Sequence, residues 1–187
     1  MTLYRCFAWR ANAGPGGDDK PDGPLWYPRM FQGEGRHDNP DVYGCLYLSD
    51  RPESCIAEQL GAFRGQRLTA SMLRRRGLPL ALARLELAAG AGLIDLDDPA
   101  VLRRERLRPS QVATRRRSVT QPQALALYRA HADAAGLRWW SSWEALWTNV
   151  TLFERAAAAL RVVDVTELTV EHPNLLDAAE LFGLRVT

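Results

Sequence analysis

The stretch from Gly33 to Gly61, GEGRHDNPDVYGCLYLSDRPESCIAEQLG, constrains this chain more than any other part of it. It passes from a polar glycine loop into a short strand and then directly into a helix. YGCLYLS (Tyr43 to Ser49) has the aromatic and aliphatic content of a buried strand. Asp50 stands as N-cap, Pro52 suits the first turn because its missing N–H costs nothing there, and Glu53 follows Asp50 by three as in a capping box. Ile56, Leu60 and Phe63 recur at helical spacing and should face a core. Glu58, about 200° around the helix from Ile56, should face elsewhere.

The rest of the chain supplies partners for this strand and helix. Residues 3–9 (LYRCFAW) read as a strand, followed by a mobile polar loop from Gly14 to Pro24. LALARLEL (Leu80 to Leu87) and GLIDL (Gly92 to Leu96) read as strands paired around the small-residue turn Ala88 to Ala91. Asp97-Asp98-Pro99 starts a helix. Helices are expected from Pro109 to Arg117 and from Pro122 to Ala135, the latter capped by Gly136. RVVDVTELT (Arg161 to Thr169) reads as a strand and Pro173 to Phe182 as a helix. With no internal repeat and no sharp change of composition, one α+β domain over residues 1–187 is expected, its core at about 3–165 and its C-terminal helix at 173–182.

Composition narrows the class of protein. The 187 residues are 47% hydrophobic and 25% charged, ordinary for a globular chain, which at this length buries roughly 70% of its unfolded surface. No apolar run approaches the roughly 20 residues of a membrane span, and MTLYRCFAWR has no signal-peptide core, so a cytoplasmic protein with no membrane partner is expected. The formal net charge is only +2, with basic residues spread along the chain, which argues against a nucleic-acid partner. Lys20 is the only lysine among the 24 basic residues, a compositional bias. Arg74-Arg75-Arg76 and Arg115-Arg116-Arg117 read either as solvated faces or as phosphate-binding patches.

Several chemistries lack their signature. Cys6, Cys45 and Cys55 have no C-x-x-C spacing, which speaks against a disulfide framework or a zinc site. His37, Asp38 and Cys45 are too few and too mixed to announce a metal centre, so no metal is expected. His131 and His172 occur without a G-x-S-x-G elbow for any serine, which leaves a Ser-His-Asp triad unsupported. Taken singly, Tyr47 is a core aromatic, Arg5 a strand-edge charge, Glu58 a solvated helix residue and Ser141 a loop or cap residue. Trp139, Trp140, Trp143 and Trp147 suit core or interface packing better than a base-stacking platform.

In order along the chain, however, these residues form a set. A strand bears Tyr4-Arg5, a glycine loop bears Gly35-Arg36-His37-Asp38-Asn39, a strand ends in Tyr47-Leu48, and a helix carries Glu58. GLRWWS then leads to Ser141, and Asn149-Val150-Thr151-Leu152-Phe153 follows. The set resembles the RES domain family, named for Arg, Glu and Ser residues. His37 stands where that pattern has tryptophan or phenylalanine, Trp140 where it has proline, and Ser142 is the alternative serine one residue on.

The resemblance implies a fold similar to ADP-ribosyltransferases, a central mixed β-sheet flanked by helices, and a toxin that consumes NAD as its substrate. It implies a cognate antitoxin with a helix-turn-helix DNA-binding part and a C-terminal segment that blocks the cleft, with homodimerisation inside the complex left open. Arg5 and Arg36 would hold the diphosphate, Tyr47 would stack on a ring of NAD, Glu58 would stabilise an oxocarbenium-like transition state, and Ser141 would hydrogen-bond ribose or carboxamide. Residue chemistry agrees. Breaking the nicotinamide N-glycosidic bond expels a neutral group from a cation, so one carboxylate suffices and no general acid is needed. No base is evident to make Ser141 a nucleophile. ADP-ribosyl transfer to a protein and a non-catalytic binding module with the same fold are the alternatives.

Overall fold

A computed structural model describes residues 1–11, 19–144 and 146–185. The loop expected to be mobile falls in part, Gly14 to Asp18, outside the described residues. The strands are β1 (Thr2–Ala8), β2 (Cys45–Ser49), β3 (Arg74–Arg75), β4 (Leu78–Leu87), β5 (Leu93–Asp95), β6 (Gly136–Trp140), β7 (Thr148–Phe153) and β8 (Leu160–Glu167). The helices are α1 (Pro52–Leu60), α2 (Pro99–Arg104), α3 (Pro109–Ala113), α4 (Arg117–Ala130) and α5 (Pro173–Phe182). The architecture is α+β with mixed strand pairing, as expected from the sequence.

Two compact units divide the chain, the first formed by Met1–Trp26, Leu48–Glu86 and Arg161–Thr187, the second by Tyr27–Tyr47 and Leu87–Leu160. In the first unit β4 is antiparallel to β1 from Thr2↔Glu86 to Ala8↔Leu80. It also pairs with β3 and β8. Arg76 and Gly77 turn β3 into β4 with φ of 51° and 79°, the left-handed pair that matches strand twist in a two-residue hairpin. Ile56 and Leu60 of α1 are fully buried, together with Leu175 and Ala179 of α5, while Glu58 is exposed as expected.

In the second unit β6 is antiparallel to β7 and parallel to β5. A parallel pair needs a crossover, and α2, α3 and α4 form it between Asp95 and Gly136. Their apolar faces close a core in which Val112, Leu127, Leu137, Trp139 and Phe153 are buried.

Several local expectations are corrected. β5 does not pair with β4, whose hydrogen-bonding edges are taken by β1, β3 and β8; the Ala88 N–H instead donates to Ala159 O at 2.8 Å. The N-cap of α1 is Arg51, not Asp50, and it makes no side-chain capping bond. α1 ends at Leu60, so Phe63 lies half-buried in a 3-10 turn under the Arg75 guanidinium, 5.6 Å from its ring centre, instead of in the core. α3 stops at Ala113. α4 starts five residues before Pro122 and carries it internally, and Gly136 opens β6 where a helix cap was expected. By contrast, Asp98 caps α2 as expected, accepting from Ala100 N at 2.7 Å.

Candidate active site

The loop Gly33–Asn39 is built around one carboxylate. Asp38, 5% exposed, accepts at Oδ2 from the backbone N–H groups of Gly33 and Gly35, both at 2.7 Å. Its Oδ1 accepts from the Tyr47 hydroxyl at 2.7 Å and from Cys45 Sγ at 3.4 Å. The Tyr47 oxygen in turn accepts from the His37 N–H at 2.8 Å, so β2 and the loop are locked together through one phenol. Burial, then the nearby Cys45 and Asp38, push the Tyr47 pKa well above its ordinary value and keep the phenol a neutral donor. Gly35 is required by contact: a Cβ there would lie 2.5 Å from both Asp38 Oδ1 and the Tyr47 oxygen.

The first turn of α4 fastens the outer side of the loop. Thr120 Oγ1 donates to Arg36 O at 2.5 Å, and Gln121 Nε2 donates to Gly33 O and Gly35 O at 2.8 and 2.9 Å. These tethers give α4 a reason to begin ahead of Pro122, whose single missing N–H they help offset.

The Arg36 side chain has partners of its own. Its guanidinium lies 4.6 Å above the Trp139 ring, and Nη1 donates to Val112 O and Thr114 O at 2.6 and 2.7 Å. A planar fork stacked on an indole and held by two carbonyls is a charge fixed in place before any ligand arrives. Next to it, His37 is buried, edge-on to Trp139 at 5.3 Å, and its Nδ1 shares a 2.8 Å hydrogen bond with Thr151 Oγ1. Burial, with the charge of Arg36 adding to it, pushes the His37 pKa down to about 3, so the ring is neutral. The histidine thus fills the aromatic position as a packed, uncharged ring. Asp38 and Cys45 bond to each other while His37 bonds to Thr151, and among the described residues no group of three His, Cys, Asp or Glu side chains gathers that could hold a metal.

Ser141 follows β6. It is 2% exposed, its Oγ accepts from Trp143 N at 3.1 Å, and its N–H donates to Trp147 O at 2.8 Å; Ser142 is exposed. The second unit therefore holds Arg36, Tyr47 and Ser141, while Arg5 and Glu58 belong to the first. Buried Arg5 donates from Nη1 to Gly23 O and Pro24 O at 3.3 and 2.5 Å and from Nη2 to Trp26 O at 3.1 Å. That is a backbone clamp, a duty that strand position alone did not suggest. The sequence reading also passed over Asp38 as the centre of the loop and Thr151 as the partner of His37. A glycine three residues ahead of Asp38 was the available signal for the first, since a short carboxylate accepts readily from nearby backbone N–H groups.

The two rival histidines have local roles. His131 ends α4 with Nε2 3.1 Å from Glu105, and His172 starts α5. Trp139 and Trp147 are buried, in line with a packing role.

The architecture defines a class, an α+β protein in which a carboxylate-centred glycine loop carries Arg36, the strand after it Tyr47, the next helix Glu58, and the residue after β6 is Ser141. The RES domain family matches residues 7–174, and the chain belongs to that family. Among curated proteins none matches. Among solved structures, a chain of the M. tuberculosis MbcT-MbcA toxin-antitoxin complex is similar in fold, with a TM-score of 0.61 at 17% identity over 98% of this chain and 89% of that one. No helix among the described residues is long and apolar enough to cross a membrane.

Proposed function

We propose that this RES domain is the toxin of a toxin–antitoxin pair and acts by consuming NAD. One observation carries the reading: Arg36, stacked on Trp139 and braced by two carbonyls, is a fixed cation on the same loop whose neighbour His37 is bonded to Tyr47. Fixed positive charge beside a half-buried aromatic suits a diphosphate joined to flat rings. Family membership and the likeness in fold to a chain of a toxin–antitoxin complex support the same reading.

In the proposed reaction the bond between ribose C1 and the nicotinamide nitrogen breaks, and its electron pair leaves with neutral nicotinamide. An oxygen of water or phosphate bonds to C1 and gives up its proton. Glu58 stabilises the positive charge that develops on the ribose, an interaction that strengthens toward the transition state. Arg36 holds the diphosphate, Tyr47 offers its ring face, and Ser141 offers a hydroxyl to the ribose or carboxamide. Arg5 acts through the Gly23–Trp26 backbone that it clamps. The partner is an antitoxin with a helix-turn-helix part, and the setting is the cytoplasm, where NAD is abundant.

The test is nicotinamide release from NAD by purified protein, with and without phosphate. Wild type should release nicotinamide together with ADP-ribose or its phosphorylated form. Glu58→Gln should lose about 100-fold or more in rate, the scale for removing one preorganised charge, while an exposed position should leave stability within about 0.5 kcal/mol. Full activity in Glu58→Gln would remove the carboxylate from the mechanism, and intact NAD under every condition would favour a binding module.

A further inference from the structure

The arginine run at 115–117, which reads from sequence as either a solvated face or a phosphate patch, divides in the structure. Arg117 belongs to α4, where its Nε donates to Glu34 O. Arg115 lies in the short link between α3 and α4 and is exposed, with its guanidinium 4.6 Å above the Trp143 ring. Among the described residues it has no ion pair and no hydrogen bond, so its N–H edges are open to a ligand.

Its neighbours show why it is more than a stray surface charge. Arg36 braces the start of the link carrying Arg115, through the carbonyl of Thr114 directly before Arg115 and that of Val112 in the last turn of α3. Trp143, its platform, follows Trp139, the platform of Arg36, by four residues, and the buried Ser141 between them accepts from Trp143 N. Two guanidiniums thus lie on two indoles of one segment, tied to each other through one backbone link. The nearby carboxylate of Glu144 is turned onto Leu146 N at 3.2 Å.

We propose that Arg115, stacked on Trp143, is a phosphate-binding residue that works alongside Arg36. Stacking presets the plane of the guanidinium and lowers the entropy lost when two N–H groups meet two phosphate oxygens. The phosphate is either the diphosphate of the dinucleotide or inorganic phosphate acting as acceptor. The inference deepens the reading of the chain as an NAD-consuming enzyme and rests on it for the choice of ligand.

Calorimetric titration with ADP and, separately, with inorganic phosphate tests it without any turnover. Arg115→Ala should weaken one of the two by roughly tenfold, the scale of one charge-assisted hydrogen bond. Trp143→Leu should weaken the same ligand by a smaller factor, and Arg115→Lys should recover only part of the loss. Arg103→Ala, an exposed arginine on α2, should change neither. A loss confined to ADP assigns the residue to the dinucleotide, and a loss confined to inorganic phosphate assigns it to the acceptor. Equal binding by wild type and Arg115→Ala, or an equal loss in Arg103→Ala, overturns the proposal. An Arg115-dependent ADP signal in a protein that leaves NAD intact would sink the enzymatic reading while sparing this one.

Discussion

The Tyr47 hydroxyl donates to Asp38 Oδ1 across 2.7 Å while accepting from the His37 N–H at 2.8 Å, so one phenol closes the glycine loop onto β2. Tyr47→Phe keeps the ring and deletes both bonds, taking the acceptor from the His37 N–H and leaving Asp38 Oδ1 with the Cys45 Sγ contact at 3.4 Å. The expected cost is about 1–3 kcal/mol of stability, read by urea denaturation. A stacking role alone would keep NAD affinity unchanged in this variant, so an accompanying rise in KM would show that the loop geometry matters to the ligand.

Gly35 admits no side chain, because a Cβ would meet Asp38 Oδ1 and the Tyr47 oxygen at 2.5 Å. Gly35→Ala should destabilise by about 1–3 kcal/mol, as overpacking does, and should displace Arg36 next to it. Thermal melts and nicotinamide release should therefore fall together. A variant with wild-type melting and activity would show that the loop relaxes freely.

His37 makes stability depend on pH in a defined direction. Its folded pKa of about 3 lies below the ordinary 6.5, so between those values the unfolded chain holds the extra proton. Stability contributed by the neutral ring is complete above pH 6.5 and falls as pH is lowered towards 3, by up to about 1.4 kcal/mol per pH unit. His37→Gln should flatten that slope relative to wild type in denaturation series from pH 7 to pH 4. Parallel curves would contradict the buried neutral histidine.

Arg5 and Glu58 should separate cleanly. Arg5→Gln removes a buried guanidinium from the carbonyls of Gly23, Pro24 and Trp26 and should cost about 3 kcal/mol. The melting temperature of Glu58→Gln should stay at the wild-type value, since Glu58 is exposed. If Arg5→Gln melts like wild type but loses NAD binding, Arg5 serves the ligand directly.

Period and composition made much of this protein legible. Helical spacing placed Ile56 and Leu60 inside and Glu58 outside, and both are so. Aspartate followed by proline marks the start of α2, and the ordered Arg, Tyr, Glu and Ser positions carry the resemblance to the family that matches residues 7–174. Pairing was less legible. Adjacent strands β4 and β5 looked like a hairpin because local turn chemistry is all a sequence displays, whereas β5 pairs with distant β6 through a three-helix crossover. Pro122 looked like a helix start for the same reason, since the tethers that carry α4 past it come from Gly33, Gly35 and Arg36.

The sequence by itself determined the kinds of element, the faces they bury and the residue types on offer for chemistry, because these depend on spacing of a few residues. Only the tertiary structure decided what each charge is used for. Arg5 and Arg36 each lie over a ring and donate to backbone carbonyls, but Arg5 holds the Gly23–Trp26 backbone beside Phe7 while Arg36 holds Val112 and Thr114 beside Trp139. Partners far apart in the chain, as Trp139 is from Arg36 and Thr151 is from His37, meet only when the fold closes, and a guanidinium binds whichever carbonyls or rings the fold then brings within reach.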